Sequence, residues 1–316
     1  METLADACRF NSQGIEFYNQ GKLEEALGFF QRDLSITERL APDSLGLAMS
    51  LNNIGLVYNS QNKSEEALGF HKRALAIREI KETNSLDVAD SLNNMGLVYK
   101  SQDRSEKALR FYQRALTIQE IKAPDSLDVA DSLNNMGLVY KSQDRSEKAL
   151  GFLQRSLAIR EVKAPDSLSV AASYSNIGAV CYKQDKLEEA LGFFQRSLAI
   201  QEIKAPDSLA VAMSLNNIGE VYKEQGRPEE ALGLHQKALA IRKVRGGTRP
   251  LIVASKISGT VAQRVEVRRE TERQGDGVNP TAVVSVKDRR TVLEENTFEP
   301  TGWIAVKNRK PCCTIM

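Results

Sequence analysis

Histidine and tryptophan are nearly missing from this chain: its 316 residues include two of the first and one of the second. The two histidines, His71 and His235, stand 164 positions apart, which removes a histidine-based metal site. Cysteine is also scarce. Cys8, Cys181, Cys312 and Cys313 have the spacing of neither a disulfide framework nor a zinc site. No apolar run is long enough to span a bilayer. The first residues, METLADACRFNSQG, lack the basic and apolar regions of a signal peptide. There is no HExxH, no glycine-rich phosphate loop and no Ser/His/Asp set, so the sequence offers no catalytic constellation, no metal site and no cofactor site. Net charge is only +2, too little to imply nucleic acid.

What the chain does have is a period. Glycine returns every 41 residues at Gly14, Gly55, Gly96, Gly137, Gly178 and Gly219, each time inside a copy of one motif. A unit of this length in tandem marks a solenoid. Within one unit, Leu92, Met95, Gly96 and Tyr99 fall on one face of a helix. Ala108, Phe111, Tyr112, Ala115 and Ile118 do so for a second helix. The polar stretch between them offers Asp103 or Ser105 as a helix cap. Between units, Pro124 stops one helix, and Asp125 or Ser126 can cap the next. Each unit is therefore predicted to be an antiparallel helix pair. A mid-helix glycine costs about 1 kcal/mol relative to alanine. Its return in six units implies a close helix–helix approach. His71 and His235 fall where other copies carry Phe30, Tyr112, Leu153 and Phe194, so both are read as packing residues.

The pattern of large residue, small apolar residue, Gly, Tyr, then Ala, aromatic, Ala resembles the tetratricopeptide repeat. It is carried, for example, by Leu92, Met95, Gly96, Tyr99, Ala108, Tyr112 and Ala115. The 41-residue unit and the phrases SLNNMGLVY and RALAIRE look most like the kinesin light chain class. No heptad segment precedes the first repeat, so the repeat class is taken and the motor role is not. The resemblance implies an all-α fold. It would be a right-handed superhelix of six helix pairs over residues 1–245, with the first helix of each pair lining the concave face. It also implies that the second residue of each Asn-Asn pair, and of Ser175-Asn176 in the fifth unit, clamps a bound peptide: Asn53, Asn94, Asn135, Asn176 and Asn217. The alternative is that these amides bond between neighbouring helices or cap a local turn. Lys100, Lys141, Lys183 and Lys223 follow the glycines and would favour an acidic peptide if they share that face. The bland reading is solvated lysines at helix ends.

After residue 245 the pattern degrades. Leu251, Val253 and Ala254 echo Leu127, Val129 and Ala130. Residues 246–273 are therefore read as a degenerate repeat forming a capping helix, which solenoids require. Residues 274–316 are read as a disordered tail, with Trp303 in a short segment able to occupy the chain's own groove. The last four residues, Cys313-Thr314-Ile315-Met316, resemble a prenylation box with a farnesyl preference. Cys312 is placed for palmitoylation, and Lys307, Arg309 and Lys310 add positive charge.

These readings converge on a non-catalytic adaptor. It would hold an extended peptide or a partner helix and work in the cytoplasm, at the cytoplasmic face of a membrane if the tail is lipidated. The alternatives are a soluble scaffold without lipid and a regulatory remnant of a larger signalling protein. Ser85–Leu109 and Ser126–Leu150 are identical over 25 residues, which suits a ladder gripping a partner better than an enzyme needing unlike groups at one point.

Overall fold

The computed structural model describes residues 2–245. The expected capping helix, the tail with Trp303, and Cys312 and Cys313 all lie outside the described residues. Twelve α-helices follow one another, and no strand occurs among the described residues. The first helices of the six pairs are α1 (Leu4–Asn19), α3 (Leu45–Ser60), α5 (Leu86–Ser101), α7 (Leu127–Ser142), α9 (Leu168–Lys183) and α11 (Leu209–Glu224). The second helices are α2 (Leu23–Leu40), α4 (Ser64–Lys81), α6 (Ser105–Lys122), α8 (Ser146–Lys163), α10 (Leu187–Lys204) and α12 (Pro228–Arg245). This is the all-α solenoid of six helix pairs that the period implied.

Local chemistry fixes each boundary. Ser126 caps α7, its Oγ accepting the Val129 N–H at 3.3 Å, and Ser44, Ser85, Ser167 and Ser208 do the same for α3, α5, α9 and α11. Thr3 and Asp6 form a reciprocal capping box on α1. The second helices depart from expectation. Neither Asp103 nor Ser105 caps α6: Ser105 is already its first residue, and Arg104 precedes it without a side-chain bond. Asp103 is instead held at φ 56°, in the left-handed region. The tight turn inside each pair requires that conformation. Gly21 and Gly226 supply it in the outer pairs, and Asn62, Asp144 and Asp185 in the others.

Within a pair the close approach is real. A Cβ built on Gly96 would lie 2.5 Å from Tyr112, and one on Gly55 would lie 2.7 Å from His71. The two helices are also locked by ring stacking, with Tyr99 on Phe111 at 5.2 Å and Tyr140 on Phe152 at 5.3 Å between centroids. His71 is fully buried, as a packing residue should be. Each pair then packs on the next. First helices of successive pairs also touch one another (α3 with α5, α5 with α7, α7 with α9, α9 with α11). The array therefore bends with its first helices on the inside.

Candidate functional site

The inner face is built from first helices, so helical phase decides what it presents. On α5 the half-buried residues Asp90, Asn93, Leu97 and Lys100 lie at i, i+3, i+7 and i+10, a single stripe. The same register on α7 holds Asp131, Asn134, Leu138 and Lys141, but there Asn134, Leu138 and Lys141 are buried and Asp131 pairs with Arg160 at 2.8 Å. At either side the stripe changes: Met49 and Met213 replace the aspartates, and Ala172 stands there on α9. The central two repeats thus put an acidic residue near the start of the inner helix and a basic one near its end.

This phase corrects the expected asparagine clamp. Asn53, Asn94, Asn176 and Asn217 are 1%, 5%, 1% and 2% exposed. The amide N–H groups of the first three are spent between repeats. Asn53 donates to Asn11 Oδ1 at 2.7 Å, Asn94 to Asn52 Oδ1 at 2.9 Å, and Asn176 to Asn134 Oδ1 at 3.1 Å. Each of these three reaches back to the first asparagine position of the previous repeat. Only Asn135 is half-open. At that boundary Asn93 exchanges bonds with Ser132 instead, at 2.8 and 3.0 Å. The physical reason is one residue of phase. Adjacent positions differ by about 100° around a helix, and the second position points at the neighbouring repeat.

The lysines divide. Lys100 is half-buried in the inner stripe, and Lys141 is buried at the same register. Lys223 holds that register at the far end and pairs with Glu220 at 3.3 Å. Lys183 does not share it. Tyr182 occupies the inner position on α9, while Lys183 sits one residue on and pairs with Asp144 at 3.2 Å.

Two features of the inner architecture escaped the sequence reading. A serine five residues before each of five glycines is buried and bonds to the second helix of the preceding pair, Ser50 to Asp33 at 2.6 Å and the other four to an Arg or Gln. Ser91 meets Arg78 at 2.7 Å, Ser132 meets Gln119 at 2.7 Å, Ser173 meets Arg160 at 2.6 Å and Ser214 meets Gln201 at 2.7 Å. The signal was the serine recurring at the repeat period against a partner that, for the last four, alternates between Arg and Gln. The second feature is a polar cluster in the sixth pair. Glu220 occupies a position that is Leu56, Leu97 and Leu138 elsewhere, and it lies 3.5 Å from His235. Asn216 bridges His235 Nδ1 at 3.2 Å to the Arg242 guanidinium at 2.7 Å. Burial holds the His235 imidazole below its usual value, against the opposite pull of Glu220.

Among the described residues no group of three or more His, Cys, Asp or Glu could hold a metal, and no helix is long and apolar enough to cross a membrane. Cys8 is half-buried, Cys181 is buried, and neither is in a disulfide.

Comparison with known proteins agrees with this geometry. A family model described as Tetratricopeptide repeat matches residues 14–80, 83–161 and 169–243. A search of curated proteins returned no match. Among solved structures, BtubC (BKLC) from P. vanneervenii superposes with a TM-score of 0.63 at 22% identity, covering 72% of this chain and 94% of that one. A putative kinesin light chain from Podosopora anserina with nearly identical TPR-like repeats gives 0.53 at 17% identity, covering 61% and 94%. A point variant of that same protein gives 0.54 at 16%, covering 63% and 96%.

Proposed function

Because this chain belongs to the tetratricopeptide repeat family, a family of protein-interaction scaffolds, we propose that it is an adaptor whose inner face holds an extended segment of a partner protein. The observation that carries this reading is the half-buried inner stripe Asp90, Asn93, Leu97 and Lys100 on α5, whose residue types recur one unit later with Asn134, Leu138 and Lys141 buried. Asn93 spends one N–H and one lone pair on Ser132 and keeps the other of each for a peptide backbone, while side chains of either sign can meet the edges of the stripe. Because both charges are present, the partner is a peptide of mixed charge, not a strongly acidic one. Lys223 carries the basic end of the same register on α11, and the half-open Asn135 lies one residue beside the stripe on α7. The buried asparagines support the reading indirectly, by fixing the spacing between repeats.

The test is selection from a random peptide library against the full chain, followed by affinity measurement on variants. Leu97→Glu and Asn93→Ala should each weaken the selected peptides about tenfold or more. Lys72→Glu on the exposed side of α4 should leave them unchanged. Peptides that bind equally well to all the inner-face variants would overturn the groove.

The membrane-tethered form of this reading rests on Cys312 and Cys313 in the sequence. Intact mass of the protein from eukaryotic cells tests it: loss of Thr314–Met316 with a farnesyl gain supports the anchor, and an unmodified mass removes it.

A further inference from the structure

The outer surface carries an apolar feature that the inner groove does not use. Ile80, Ile121, Val162, Ile203 and Val244 recur at the repeat period near the ends of the second helices. They are 82%, 74%, 76%, 79% and 84% exposed. Single exposed aliphatics are ordinary on a soluble protein. These are not scattered. The end of each second helix leads through a short turn into the start of the next first helix, so both lie on one edge of the array. That edge also carries exposed leucines such as Leu127 and prolines such as Pro124. Leu232 and Leu239 aside, every exposed large apolar side chain among the described residues is on this edge.

We propose that this edge is the interface of a homodimer, with a second copy of the chain as its occupant. Three features favour a second copy. A partner meeting every member of the column must carry side chains at the same spacing, and another copy does so by construction. Each turn also presents both signs of charge, Lys122 with Asp125, Lys163 with Asp166 and Lys204 with Asp207, all exposed. Two such edges can pair unlike charges, whereas a membrane or a nucleic acid would require one sign. Finally, five turns with about five exposed residues each give about 25 residues, within the 20–30 a side of a standard interface. An isologous antiparallel contact places Val162 on the twofold axis, with Ile121 facing Ile203 of the second copy and Ile80 facing its Val244.

Sedimentation equilibrium of the full chain under reducing conditions tests the proposal. The wild type should sediment as a dimer of the 35.0 kDa chain at micromolar concentration. Val162→Glu, which brings two carboxylates to the axis, should weaken the dimer at least tenfold while leaving the circular dichroism and melting temperature unchanged. Val162→Lys should do the same, and mixing the two variants should restore a dimer. Two results would overturn the proposal. One is a wild type that is monomeric throughout. The other is a dimer indifferent to position 162 and lost in Leu232→Glu, which would place the contact at the end of the array. Peptide binding in the groove is read separately, so either idea can fail alone.

Discussion

Two kinds of glycine occupy these helices, and their substitution separates packing from propensity. Gly96 has no room for a Cβ because the Tyr112 ring is 2.5 Å from where it would sit. Gly96→Ala should therefore cost about 1–3 kcal/mol through overpacking. Gly69 has nothing within 4 Å. Gly69→Ala should stabilise by about 1 kcal/mol through helix propensity alone. Urea denaturation of the two variants should shift the midpoint in opposite directions. Two buried groups also set a pH response. Burial pushes the Asp33 carboxyl up to about 7, with the Ser50 bond at 2.6 Å pulling back only in part. Its unfolded value is 3.8, so between those values the unfolded chain has released a proton that the native state still holds. Stability from this group is full below pH 3.8 and falls as pH rises to 7. Asp33→Asn should add about 2–4 kcal/mol at pH 8 and change little at pH 3.5. His71 runs the other way. Burial lowers it from 6.5 to about 3, so its contribution is full above pH 6.5 and is lost as pH falls towards 3. His71→Phe, the residue type at Phe30 and Phe194, should flatten that acid limb in the same denaturation series.

At the scale of the helix pair, the inter-repeat amides are the distinguishing device. Asn53→Ala would leave the buried Asn11 Oδ1 without its donor. The expected cost is about 1–3 kcal/mol. Hydrogen exchange should accelerate in α1 and leave α11 untouched, because each pair is stabilised mainly by its neighbours. The sequence made the pairs themselves legible. The period located all six, glycine marked the close approach, and the histidines were placed as packing residues from their register alone. The asparagines were not legible. Sequence phasing relies on polar residues facing out, and here Asn94, Ser91 and Gln119 are all buried. With polarity on both faces, hydrophobic pattern cannot say which of two adjacent amides turns inward. The tight turn misled for a related reason: Asp103 is as common in a left-handed turn as at a helix cap.

Over the whole molecule, the last described helix is less covered than its counterparts in the interior pairs. In α12, Leu232 and Leu239 are 51% and 40% exposed, whereas the corresponding Leu68 and Leu109, and Leu75 and Leu116, are at most 8% exposed under the next first helix. A solenoid end of this kind needs a cover. Leu251, Val253 and Ala254 repeat the spacing with which Leu127, Val129 and Ala130 begin such a helix, and we expect that segment to supply it. Ending the chain after Arg245 should then lower the thermal midpoint and speed hydrogen exchange in α12 above that in α6. Equal exchange with and without residues 246–316 would remove the cap.

The identity of Ser85–Leu109 with Ser126–Leu150 has a thermodynamic side as well. On the proposed groove reading, a ligand short enough to span one unit meets two seats of the same sequence but unequal depth, because Asn93 and Leu97 are half-buried whereas Asn134 and Leu138 are buried, so it would be held as an uneven population over two alignments. Its binding isotherm should then resolve two sites of unlike affinity on one chain. A ligand carrying the same short motif twice, spaced to reach both seats, should bind once and far more tightly, because its second contact is made at the high effective concentration set by its own linker.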